Sequence, residues 1–444
     1  MCIICYSSIR NLVYETRLTC NGCLNLKEIP KELVNLRYLD IYNCIYIEEI
    51  PKELVNLEKL ICSECFLITH IPKELVKLNS LDCSVCPLIT HIPVELVNLE
   101  ELTCYDCPKI KEIPKEFVNL TYLDCSITNI TYLPKELVKL TELDCRQCIN
   151  LIELPKEYVN LTELNCSECV KLSEIPKVYV NLKTLKCIEC SMLTVIPDEL
   201  INLEELECYE CKLLSKIPRD CIELFRLDIS FCPLITSISS KYIYLQYLGC
   251  SVCIITEIPK ELTNILKIEC FGCPIKEIPK ELVNLRELNC SECTEIKEIP
   301  KELVNLRELY CSECTGLTNI PRELVNLREL RCQQCCNLKN ILCENLHILE
   351  CDECDNLTFV PDYLIEDFIK GGVNYSTLSM DPSYLSPKQI VDINYQKYRK
   401  EGCSMLTNII LEELIARTWH PDRIRDWCWD EEEKKFMNEI CILN

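Results

Sequence analysis

Glycine is scarce in this 444-residue chain, at 7 residues, and alanine is nearly absent, with Ala416 alone. So few glycines leave little material for Gly-rich phosphate loops, and neither GxGxxG nor GxxxxGK[ST] occurs. Histidine is sparse as well, with 4 residues, which restricts how a general base or a metal centre could be assembled. Positive charge is also short: Lys plus Arg is 47 against 70 for Asp plus Glu, a formal net charge of −23. A chain that acidic is repelled by phosphate backbones and anionic lipid unless it concentrates cations locally, and no basic run occurs along the sequence. Neither nucleic acid nor a membrane is expected as a partner. No stretch reaches the ~18 uncharged residues of a membrane span. The apolar start, MCIICYSSI, lacks the basic flank and core length of a secretion signal. The expectation is a cytoplasmic protein whose thiols stay reduced.

Cysteine, by contrast, is abundant at 39 residues, and a repeat orders it. The segment LVNLRELNCSECTEIKEIPKE, residues 282–302, recurs as LVNLRELYCSECTGLTNIPRE over 303–323. Prolines mark the period from Pro30, Pro51, Pro72 and Pro93 to Pro361, at a spacing of 21, sometimes 20 and finally 19, which makes seventeen units. Each unit reads L-x-x-L-x-C-x-x-C-x-x-[LI]-x-x-I-P-x-E-L-V-N. The L-x-C core alternates as a half-buried strand must. The proline then ends ladder pairing, and Lys-Glu-Leu-Val-Asn is expected to close one helical turn. A lone unit cannot bury its Leu, Ile and Cys face, whereas stacked units bury a continuous core.

This pattern resembles the leucine-rich repeat family, in its short class with an Ile-Pro or Leu-Pro convex side, over roughly residues 12–361. The resemblance implies an α/β solenoid, a horseshoe of about 17 repeats of 20–21 residues with a parallel sheet on its concave face, followed by a small C-terminal helical segment. The boundaries expected are 1–17 for an N-terminal cap or degenerate first unit, 18–361 for the solenoid and 362–444 for a helical cap or docking segment. Cysteine departs from the family pattern at the last strand position, where Leu is usual, and at the turn position three residues on, where Asn or Cys is usual. A thiol is a weaker donor than an amide, so looser turns are expected.

Paired C-x-x-C motifs taken alone read as zinc ligands. Ile41 and Ile229, however, fill the first slot without breaking the repeat. An aliphatic side chain can replace a small hydrophobe but not a ligand, so the cysteines read as a structural ladder with no cofactor. Metal binding through that ladder is the weaker alternative.

No constellation points to catalysis. His70 and His91 fall in one slot of adjacent units and should stack on an edge. Cys343 and His347 are four apart in a degenerate unit without helical context. The outward strand position instead repeats acids, among them Asp40, Asp82, Asp124, Asp144 and Asp228, and the position before the second cysteine holds Glu168, Glu189 and Glu210. Tyr105, Tyr209 and Tyr310 lie on or beside the same strands. Acidic rows steer basic partners and aromatic residues anchor interfaces. The reading is a non-catalytic scaffold that binds a protein with a basic or polar surface on its concave face.

After Pro361 the pattern stops. Helices are expected over roughly 362–370, 386–401, 405–418 and 431–442. Trp419, Trp427 and Trp429 form a cluster that could dock a second protein, which motivates the alternative of a substrate receptor for ubiquitin ligation with the tail recruiting the ligase. The segment Trp419-His420-Pro421-Asp422-Arg423 with Asp426-Trp427-Cys428 resembles the tail of repeat proteins from mimivirus-like giant DNA viruses. That resemblance implies a viral protein acting in the host cytosol.

Overall fold

The computed structural model describes residues 12–351 and 353–357, together with Ile4 and the strand Leu378–Ser379. Seventeen short strands recur once per unit, from Arg17–Thr19 to Ile348–Glu350. Joined by Leu378–Ser379, they form one 18-stranded sheet. Every pairing is parallel and in register: Leu143 faces Leu164, Leu164 faces Leu185, and the centre of each strand meets the centre of the next. A period of 20 or 21 residues therefore returns each repeat position to the same column.

The core follows from that register. In one unit Leu164, Cys166, Cys169, Leu172, Ile175, Tyr179 and Leu182 are all buried, and their counterparts in neighbouring units form one continuous cluster. Each buried Leu or Ile contributes about 1.5–3 kcal/mol, available only because the units above and below exclude water. Tyr158, Tyr179 and Tyr242 replace the smaller Leu of this slot and remain fully buried. Their hydroxyls donate to the carbonyls of Pro134, Pro155 and Pro218, one unit back.

Within the repeats every regular element among the described residues is a strand. The expected helical turn after each proline is instead two successive tight turns. The Leu54 N–H donates to the Pro51 carbonyl at 3.2 Å, and the Leu57 N–H donates to the Leu54 carbonyl at 3.0 Å. Only a few residues separate the proline from the next strand, too few for a helix to pass its costly first turn. A second, two-stranded sheet, Asn319–Ile320 with Asn340–Ile341, lies on the proline side. The helices expected in the tail lie outside the described residues.

Candidate functional site

The two cysteines of a unit have different surroundings. The second thiol donates to the backbone carbonyl of the first-cysteine slot one unit earlier: Cys169 Sγ to Cys145 O at 3.1 Å, Cys190 Sγ to Cys166 O at 3.1 Å, and Cys314 Sγ to Cys290 O at 3.0 Å. Where isoleucine fills the first slot, its carbonyl still accepts, from Cys65 at 3.2 Å and from Cys253 at 3.1 Å. Thr128 takes the second slot of its unit and donates its hydroxyl to Cys125 O at 2.6 Å.

The turn between the cysteines is uniform rather than loose. The residue before the second slot adopts a left-handed backbone in all seventeen units, with φ between +52° and +67°. Two of the turn N–H groups need no side-chain acceptor, because Cys62 N donates to Asp82 O at 2.8 Å and Glu64 N to Ser84 O at 2.9 Å, each one unit on. Burial pushes the thiols of Cys65, Cys253 and Cys343 up to about 12. Cys343 is buried against the Pro321 carbonyl, so it offers no thiolate to His347. His70 and His91 share a column, and each imidazole Nδ1 pairs with the hydroxyl of the preceding threonine, at 3.1 and 3.0 Å.

The open face of the sheet carries the predicted acids, and the outward aspartates prove to be built into it. One carboxylate oxygen accepts the N–H two residues on: Tyr42 to Asp40, Ser84 to Asp82, Arg146 to Asp144 and Ser230 to Asp228, each at 3.1 Å, and Ser126 to Asp124 at 3.0 Å. This local bond is what short Asp and Asn side chains do well at turns, and Asn165 does the same for Ser167. The second oxygen of several is also engaged, by Asn21 on Asp40, Ser63 on Asp82 and Asn165 on Asp144. Glu168, Glu189 and Glu210 occupy the left-handed turn position, and Glu168 accepts from Gln147 at 2.9 Å.

Charge balance then separates regions of the face. Around Glu207, burial works upward on the carboxyl, but the hydrogen bond and charge of Arg226 at 2.7 Å, with Lys186 at 3.4 Å, outweigh it and hold Glu207 below its ordinary value. Arg226 also lies over the Tyr247 ring at 4.1 Å. Near the far end Arg331 bridges Glu329 at 2.8 Å and Glu350 at 3.1 Å, and Tyr310 donates to Glu308 at 2.9 Å.

The middle is different. Glu142 and Glu163 face each other in register. Burial and the Glu163 charge raise the Glu142 carboxyl above its ordinary value. Asp144 is raised by burial and by Asp124, against the pull of the Arg146 N–H and guanidinium. Tyr122, beside them, is pushed up to about 12 by burial and by Asp124, Asp144 and Glu142. Among the described residues Arg146 is the cation ion-paired with this group, 3.7 Å from Asp144 and 5.9 Å from the Tyr105 ring centre.

Tyr122, Asp124, Glu142, Asp144 and Glu163 thus form an under-neutralised acidic centre beside Tyr105. Asp124, Asp144 and Tyr105 were expected on this face, and the structure brings them together. Tyr209 and Tyr310 belong to other stretches of it, with Tyr209 half-buried and its hydroxyl raised by burial and by Glu189. Glu142 and Glu163 escape a reading of the outward aspartate column because they belong to the first strand position, two residues earlier. Trp419, Trp427 and Trp429 lie outside the described residues. Among the described residues no group of three or more His, Cys, Asp or Glu could hold a metal ion, and no helix is long and apolar enough to cross a membrane.

No family model matches the chain, and no characterised protein matches it in sequence. Solved structures do. The functional domain of InlJ from Listeria monocytogenes, whose structure includes a cysteine ladder, is 21% identical over 79% of this chain and 68% of that one, with a TM-score of 0.49. A leucine-rich repeat protein of Leptospira interrogans is 22% identical over 87% and 95%, with a TM-score of 0.48. A TLR13–ssRNA13 complex gives 17% identity over 79% and 61%, with a TM-score of 0.50. The chain is a parallel β-solenoid of about 16 turns, and its structural neighbours are leucine-rich repeat proteins.

Proposed function

We propose, taking a leucine-rich-repeat solenoid as the premise, that this chain is a non-catalytic scaffold whose acidic sheet centre binds a basic segment of a protein partner. The observation that carries the reading is Glu163 opposite Glu142 in register, with the Glu142 and Asp144 carboxyls raised and, among the described residues, Arg146 alone in an ion pair with the group. Carboxylates held together against their own repulsion gain most from an arriving lysine or arginine, and Tyr105 and Tyr122 supply contact area beside them. Reduced thiols are needed for the carbonyl-capping ladder, which favours a reducing compartment such as cytosol, host cytosol if the viral likeness of the tail holds.

The test compares wild type with Glu142→Gln/Glu163→Gln as bait for proteins of a eukaryotic cell lysate, under reducing conditions at low and raised salt. Wild type should retain a partner that salt releases, and the variant should lose at least tenfold in affinity, about 1.4 kcal/mol. Equal capture by both baits at every salt concentration would sink the reading.

A further inference from the structure

The column just before the strands holds the residues Arg37, Glu58, Glu100, Lys183, Glu204, Arg286, Arg307, Arg328 and His347 in its charged or ionisable units. In its first half each cation meets an acid one unit on. Arg37 lies 3.3 Å from Glu58, and Lys183 lies 2.8 Å from Glu204. That pattern breaks after Leu266. Three arginines follow on successive rungs, and the next unit offers His347 rather than an acid.

Their backbones are locked in step. Arg307 N donates to Arg286 O and Arg328 N to Arg307 O, both at 2.8 Å, and the strands that follow pair in register. The side chains therefore leave the backbone about 4.8 Å apart. All three are exposed, and none is in an ion pair among the described residues. The glutamates of the neighbouring column are held elsewhere: Glu287 by Lys267 at 3.0 Å, Glu308 by the Tyr310 hydroxyl at 2.9 Å, and Glu329 by Arg331 at 2.8 Å. Arg286 and Arg307 border a groove of about 240 Å³ together with Leu266, Asn284, Asn305 and Asn326, and Arg328 stands one rung beyond it. Each of these asparagines spends one amide hydrogen on a carbonyl, Asn305 on Val283 O at 2.9 Å, and keeps its second N–H as a donor.

We propose that this column is a binding site for a phosphomonoester group. Three stacked guanidiniums with no carboxylate between them repel one another, and a dianion relieves that repulsion more than a monoanionic carboxylate does. A phosphoryl group spreads three acceptor oxygens that successive Arg forks can engage. The site rests on residues separate from the acidic centre, so success or failure of either reading leaves the other standing.

The test is titration of the full-length chain, at physiological ionic strength, with inorganic phosphate, acetate, a short neutral peptide carrying one phosphoserine, the same peptide unphosphorylated, and a single-stranded oligonucleotide. Phosphate and the phosphopeptide should bind, the phosphopeptide at least tenfold more tightly than its unphosphorylated form, and acetate should not compete. Arg286→Gln/Arg307→Gln/Arg328→Gln should abolish that preference. Lys301→Gln, a single-charge control on the proline side, should keep it. Thermal unfolding of each variant checks that these exposed changes leave the solenoid folded. Acetate binding equal to phosphate, an oligonucleotide that outbinds the phosphopeptide, or unchanged phosphopeptide affinity in the triple variant would each overturn the assignment.

Discussion

A thiol does two jobs in this chain, and slot decides which. The first cysteine fills apolar volume that Ile41 and Ile229 fill equally well, while the second caps a carbonyl that water cannot reach. Burial pushes Cys65, Cys253 and Cys343 up to about 12, and the ladder sulfurs, closed off from solvent, should be unreactive in the native state. Cys23 and Cys336 are the partly exposed exceptions among the described cysteines. Brief alkylation of native protein followed by peptide mass spectrometry should label these two well ahead of Cys166 or Cys169, and denaturant should erase the difference. The left-handed turn residue offers a second check. Val85 sits there at φ +53°, a conformation β-branched residues rarely adopt. Val85→Asn should raise stability by about 1 kcal/mol in denaturant unfolding.

Within a unit, the turns that return the chain to the sheet are tied by an asparagine spine. Asn160 donates to Val138 O at 2.9 Å, Asn181 to Val159 O at 2.9 Å and Asn326 to Val304 O at 2.8 Å, each reaching to the unit before. The final Asn of the L-V-N motif is visible in the sequence as a repeated letter, but its polar type suggests only an exposed residue. Its bond partner lies 22 residues away, and only stacking brings the two together. Asn181→Ala should cost about 0.5–1.5 kcal/mol. Asn181→Asp should cost at least as much, because a carboxylate presents no donor to the carbonyl. Denaturant midpoints of the two variants at neutral pH check this.

Across the whole solenoid, acid is distributed unevenly in its consequences. Glu142 and Asp144 have raised values, so the folded state takes up their protons more readily than the unfolded chain. Stability should therefore rise as pH falls from neutral through the raised folded values toward the unfolded ones. Glu207 has the opposite sign. Its lowered value contributes stability that is present above the unfolded pKa and lost as pH falls through the folded one. Melting temperature should thus peak on the acid side of neutral. Glu142→Gln should flatten the approach to that peak and gain a few tenths of a kcal/mol at neutral pH. A melting temperature that falls steadily from pH 7 downward would contradict the balance drawn here.

Periodicity established the unit length, the stacking of units and the buried Leu, Ile and Cys positions, because one apolar stripe per 20 or 21 residues is covered only when units stack, and the parallel sheet was what the family resemblance implied. The ladder role of the cysteines was legible too, since Ile41 and Ile229 show what the first slot tolerates. Three things were settled only when the units stacked. Asp40, Asp82, Asp124, Asp144 and Asp228 read as a free acidic row, yet each spends an oxygen on a backbone N–H two residues away, a matter of turn geometry. Glu142 and Glu163 become an interacting pair through strand register, 21 residues apart along the chain. Arg286, Arg307 and Arg328 make no basic run in sequence, but the same register puts them on consecutive rungs. Charge acts through distance in space, and in a solenoid the nearest charge is one period away rather than next along the chain.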